Sequence, residues 1–124
     1  MELSRLRELA ANLGRLSVTV LCGGISSERA ISLESGHNVA DALSSRRHRV
    51  TLVEVDERFW AAPPRLDSDV VVIALHGRYG EDGGVQALLE NRGIPFTGSG
   101  SVASALAMDK VKARHAFSKA GLTI

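Results

Sequence analysis

The sequence predicts an open, mostly parallel α/β sheet with helices on its faces. Three observations lead there. Short β-branched apolar runs recur at residues 17–22, 49–55 and 69–75, each run stops near glycine or a charged turn, and stretches with helical spacing of apolar residues lie between or after them. Strands alternating with helices favour parallel pairing through right-handed crossovers.

Taken in order, Leu3, Leu6, Ala10 and Leu13 recur at helical spacing and predict a short amphipathic lead-in helix. Residues 17–22 (SVTVLC) read as a buried strand that ends at Gly23-Gly24. A helix should follow, capped by Ser26 or Ser27, with Leu33, Gly36, Ala40 and Leu43 on its packing face and Gly36 allowing close approach. Residues 49–55 (RVTLVEV) form the second strand. Residues 56–67, with Pro63-Pro64, predict an irregular connection. Residues 69–75 (DVVVIAL) are the most apolar run and should form a central parallel strand ending at His76. Val85, Leu88 and Leu89 begin a helix that stops near Gly93, and residues 94–97 predict a short fourth strand. Two further helices carry Val102, Ala105 and Leu106, then Ala113, Ala116, Phe117 and Ala120. The organisation expected is a helical extension over residues 1–16 and one domain over 17–124, whose last residues read as a chain cut at a domain boundary.

Composition narrows the class of function. Fifteen basic and 14 acidic residues nearly balance, so the overall field suggests neither nucleic acid nor an anionic membrane as partner; a small polar ligand fits better. The single cysteine, Cys22, sits in an apolar run and reads as a buried inert thiol, consistent with a reducing cytoplasm. Charges at Glu2, Arg5, Arg7 and Glu8 interrupt the N-terminal stretch, which is neither signal peptide nor membrane span.

In an open α/β sheet, ligands bind beyond the carboxyl ends of the strands. The first such loop, residues 23–29 (GGISSER), lacks both a dinucleotide fingerprint and a Walker lysine. Glu28 falls in the first helical turn, where free N–H groups favour a carboxylate; it is either a helix stabiliser or, beside a glycine turn at Gly24, a receptor for an ammonium group. The second loop begins with His76 at the strand tip and continues through Gly77, Gly80, Glu81, Asp82, Gly83 and Gly84. A plain surface turn does not need that density of glycine and charge, and a histidine there can donate or accept a hydrogen bond. The third, residues 97–101 (TGSGS), precedes a helix and offers either N–H groups for an anion or a serine cap. Asp109 then caps the last helix, and Lys110 in its first turn has the wrong sign for that end unless it reaches an anion. No residues show zinc-ligand spacing, and no nucleophile–histidine pair can be defended from order alone.

Three segments resemble a known family. The run His76-Gly-x-x-Gly80-Glu81-Asp82-Gly83-x-Val85-Gln86-Ala87 is similar to the N-terminal signature of D-alanine:D-alanine ligases of the ATP-grasp superfamily. Gly23-Gly24-x-Ser26-x-Glu28-Arg29-x-x-Ser32-Leu33 looks like that family's first loop, and Pro95-Phe96-Thr97-Gly98-Ser99-Gly100 followed by Ser104-Ala105-x-x-Met108-Asp109-Lys110 like its third. The resemblance covers Val18 onward and implies a Rossmann-like pre-ATP-grasp domain. It further implies an enzyme that uses ATP and magnesium to phosphorylate the carboxylate of one D-alanine, which the amine of a second then attacks, giving the peptidoglycan dipeptide. Glu28 would then hold the first ammonium with His76 and Gly24 beside that substrate. Glu81 would pair with a lysine of the central domain, and Lys110 would contact ATP phosphates. Metal-binding carboxylates are expected outside this stretch, the chain alone should be inactive, and the family is dimeric through this domain, so a cytoplasmic homodimer is expected. A D-lactate- or D-serine-using ligase and a non-catalytic α/β ligand-binding or dimerisation module are the competing readings.

Overall fold

The computed structural model describes residues 3–123. Its elements are α1 (Leu3–Asn12), β1 (Ser17–Gly23), α2 (Arg29–Ser45), β2 (Arg49–Val55), α3 (Glu57–Ala61), β3 (Val70–Ile73), α4 (Gly84–Asn91), α5 (Ser101–Met108) and α6 (Lys110–Lys119). The three strands form one parallel sheet in the order β2-β1-β3, with Ser17 opposite Arg49 and Val18 opposite Val70. The α/β architecture is therefore the one expected.

Side-chain alternation along β1 divides the core between the two faces of the sheet. Val18, Val20 and Cys22 point to one face, where Leu33, Val39, Ala40 and Leu43 of α2 cover them. Leu21 points to the other, with Val55, Phe59, Val71, Leu75, Val85 and Leu89. Gly36 is the contact point of α2 with the sheet: a Cβ there would lie 2.4 Å from the Cβ of Cys22. Cys22 is fully buried, and burial pushes its thiol above the ordinary value, as an inert core thiol requires.

Several expectations need correction. The central strand is β1, not the run at 69–75; every residue of β1 from Val18 on is buried, and strands pair with it on both sides. Residues 94–97 make only a single bridge, Phe96 opposite Val71, because Pro95 has no N–H to continue a ladder and Gly98 turns away at φ 101°. The connection after β2 is not wholly irregular: Asp56 caps the one-turn-plus α3 by accepting a bond from Phe59 N–H at 2.8 Å. Neither Ser26 nor Ser27 caps α2. Glu28 occupies that position without a side-chain cap bond, while the Ser26 hydroxyl accepts Glu28 N–H at 3.2 Å and donates to the His76 carbonyl. The lead-in helix ends at Asn12, one residue short of Leu13; Leu3, Ala10 and Leu13 are all exposed, while the side chain of Leu6 lies outside the described residues.

Candidate functional site

The carboxyl ends of β1 and β3 are held together by one buried hydroxyl. Ser32 accepts a bond from Gly23 N–H at 2.9 Å and donates to the Ala74 carbonyl at 2.6 Å. Gly23 and Gly24 both take the left-handed conformation, φ 88° and 87°, which turns the chain sharply off the strand. Arg29 fastens that turn to β2: its guanidinium donates to the carbonyls of Gly24 and Val55 at 3.0 and 3.1 Å and pairs with Glu54 at 2.8 Å.

Ser26 ties the first loop to the second. Its hydroxyl accepts from Glu28 N–H and donates to the His76 carbonyl at 3.0 Å. Gly77, at φ 68°, then lies directly against the Glu28 carboxylate: a Cβ on Gly77 would be 2.8 Å from Glu28 Oε2. The Glu28 carboxylate is thus brought against the loop that His76 begins, meeting it at Gly77, 49 positions away. The His76 ring lies between Ser35 and Glu81, with Nε2 3.5 Å from Ser35 Oγ and Nδ1 3.9 Å from Glu81 Oε1, both too long for strong bonds. Glu81 instead accepts Gly77 N–H at 2.9 Å and closes the loop on itself.

Gly80 and Gly83 permit two further close approaches. A Cβ on Gly80 would meet that of Leu75 at 2.5 Å, and one on Gly83 would meet the Ser101 carbonyl, also at 2.5 Å. Gln86, nearly fully buried, donates to the Gly80 carbonyl at 2.7 Å, and its Oε1 has no partner among the described residues. It lines a cavity of about 490 Å³ shared by His76, Glu81, Thr97, Ser99 and Met108. An exposed carboxylate, an imidazole with room around both nitrogens and an adjoining cleft suit a small molecule carrying an amine.

Lys110 is exposed at the start of α6, two residues beyond Met108 and outside that cavity's lining. Asp109 caps α6 as expected, accepting the N–H groups of Val111 and Lys112 at 3.1 and 3.0 Å. The helix start at Ser101 receives an anion from within the chain and no serine cap: the carboxylate of Glu90 in α4 accepts Ser101 N–H at 2.8 Å and its hydroxyl as well. Those bonds hold the Glu90 carboxyl below the ordinary carboxylate value.

Comparison with known proteins identifies the family and the fold. A family model described as "D-ala D-ala ligase N-terminus" matches residues 17–68 and 58–99, well over half of the chain. The chain belongs to the D-alanine–D-alanine ligase N-terminus family. It is 54% identical over 107 residues to a D-alanine–D-alanine ligase of Anaeromyxobacter sp. (strain Fw109-5) and 51% identical over 107 residues to that of Geotalea uraniireducens (strain Rf4), covering 86% of this chain in each case. It spans about a third of the length of these curated relatives, 35% and 34%. A crystal structure of D-alanine–D-alanine ligase from Bacillus anthracis superposes with a TM-score of 0.77 at 33% identity, covering 86% of this chain and 35% of that one. The same enzyme complexed with ATP also gives 0.77.

Within this ligase N-terminal domain, the roles of Arg29, Ser32 and Gln86 were not read from the sequence. Ser32 left a trace: it stands four residues before Gly36 on the packing stripe of α2, a polar residue where an apolar one belongs. For Arg29 the sequence held little signal, since two of its three partners, Val55 and Glu54, lie 25 or more positions away on β2.

Proposed function

We propose that the chain forms the substrate-side wall of an ATP-dependent D-alanine:D-alanine ligase and supplies the site for the first D-alanine. The juxtaposition of Glu28 with the His76 loop, made possible by the missing side chain of Gly77, carries this reading. Glu28 receives the substrate ammonium, with backbone at Gly24 close by. His76 lies beside the same substrate, where an imidazole that shifts between donor and acceptor can follow charge on the reacting carboxylate. Glu81 pairs with a lysine supplied by the rest of the ligase.

ATP, when bound, supplies the phosphoryl group that activates the carboxylate. Lys110 fits that ligand as a single cation. Because Asp109 already takes the N–H groups of the α6 start, this end offers no wider phosphate cradle. Magnesium requires several oxygen ligands, and among the described residues no three His, Cys, Asp or Glu side chains gather. Its carboxylates belong, in this reading, to the portion of the ligase that the chain does not span. By the same reading the enzyme is a cytoplasmic homodimer that feeds peptidoglycan synthesis. Among the described residues no helix is long and apolar enough to cross a membrane.

Two experiments test the proposal. The isolated chain should release no phosphate from ATP with D-alanine; measurable D-alanine-dependent release would contradict it. Residues 17–124 should also restore D-alanine-dependent phosphate release when exchanged for the matching segment of the Anaeromyxobacter ligase, and Glu28→Gln should abolish it. A soluble, ATP-binding chimera without turnover, or one indifferent to Glu28→Gln, would overturn the assignment.

A further inference from the structure

A second cavity, of about 380 Å³, opens at the opposite end of the sheet, lined by Ala10, Leu13, Gly14, Arg15, Arg46, Arg47 and His48. Ser17 and Arg49 start β1 and β2 beside it, so at about 3.3 Å per residue a seven-residue strand puts it roughly 20 Å from Glu28 and His76. Part of its wall comes from residues 10–15, which precede the segment matched by the family model. It is therefore not a copy of the substrate site.

Its chemistry is one-sided. Four of seven lining residues are arginine or histidine and none is acidic. The ion pairs among the described residues, Arg29–Glu54, Arg65–Asp67, His76–Glu81 and Lys112–Asp109, include none of Arg15, Arg46 and Arg47. Asp69, the acid at the start of the neighbouring β3 run, accepts Ser17 N–H at 2.7 Å. His48 Nδ1 accepts Leu16 N–H at 3.2 Å, which leaves Nε2–H as the ring's donor.

Arg47 holds an unusual backbone conformation. It follows the C-terminus of α2 at φ 67°, a left-handed position that helix ends normally give to glycine or asparagine. Favourable interaction with the helix dipole would account for a cation here, but Arg46 provides one next door without backbone strain. An arginine kept in a strained conformation beside two more arginines and an N–H donor is the arrangement that receives a multiply charged oxyanion, since each guanidinium offers paired N–H groups.

We propose that this cavity binds a small phosphorylated anion, remote from the reaction. The test is an NMR titration of the 124-residue chain with inorganic pyrophosphate at low ionic strength. Saturable shifts are expected at the amides of residues 13–16 and 46–49. Arg47→Gly should weaken binding about tenfold, the loss of one charge-assisted contact, while leaving the thermal midpoint unchanged or raised because it relieves the left-handed strain. Arg46→Gln, at an unstrained position, should weaken binding as well. No saturable shift at these amides, or unchanged affinity in both variants, would overturn the proposal. So would binding to anionic phospholipid vesicles without binding to pyrophosphate, which would assign the patch to a lipid surface.

Discussion

Replacing Ser32 by alanine should loosen the site and destabilise the fold together. The Ser32 hydroxyl is wholly buried and makes two bonds, from Gly23 N–H and to the Ala74 carbonyl, that join the carboxyl ends of β1 and β3 across the base of both loops. A backbone group left without a partner in the dry interior costs about 1–3 kcal/mol, so losing both bonds should cost about 2–6 kcal/mol. Against a domain stability of about 5–15 kcal/mol that is a large fraction, and each 1.4 kcal/mol is about tenfold in the folding constant. Urea unfolding of the wild type and Ser32→Ala, followed by circular dichroism, measures it directly. Ser45→Ala is the internal control: that hydroxyl also bonds a carbonyl, Ala42 at 2.7 Å, but it is exposed, and the cost there should stay within about 0.5 kcal/mol. If Ser32→Ala is no more destabilising than Ser45→Ala, the hydroxyl does not brace the strand ends and the account of how the loops are held is wrong.

Gly36→Ala should destabilise by about 1–3 kcal/mol through overpacking, because its Cβ would collide with that of Cys22 and α2 must back away from the sheet; an unchanged urea midpoint would contradict the close contact. Gly77→Ala adds about 1–2 kcal/mol of left-handed strain and pushes on Glu28 Oε2, so D-alanine binding should fall by more than stability does; equal losses in calorimetry and unfolding would contradict a site role. Glu90, held below the ordinary carboxylate value by its Ser101 bonds, stabilises the α4–α5 junction above that ordinary value and loses this as pH falls through its depressed one. Glu90→Gln should therefore differ from wild type in thermal midpoint at neutral pH and converge with it in acid; a gap independent of pH would refute the linkage. Asp109, lowered chiefly by its bond from Lys112 N–H, should lose its capping contribution over the same direction of pH.

What the sequence disclosed follows the range of the interactions involved. The apolar run SVTVLC and the stripe Leu33–Gly36–Ala40–Leu43 are local patterns; β1 is buried from Val18 on, and Leu33, Ala40 and Leu43 cover one face of the sheet as those patterns require. The Asp109 cap is local too. Which strand is central was not legible, because it depends on who pairs with β1 and not on which run is most apolar. The Glu90–Ser101 bond joins residues on different helices, and the Ser26 hydroxyl left its expected cap for a carbonyl 50 positions away. Glu28 and His76 could be named from a family motif; that the Glu28 carboxylate lies against Gly77, the residue after His76, emerged only once the two strand ends stood side by side.

The central claim is that Glu28 and the His76 loop form a site for D-alanine. Titrating wild type and Glu28→Gln with D-alanine and with L-alanine, while following backbone amides by NMR, tests it most directly. Saturable shifts at Gly24, Glu28, His76 and Gly77 with D-alanine are predicted, weaker with L-alanine and lost in Glu28→Gln. Shifts that are identical for both enantiomers, or that persist undiminished in Glu28→Gln, would contradict it.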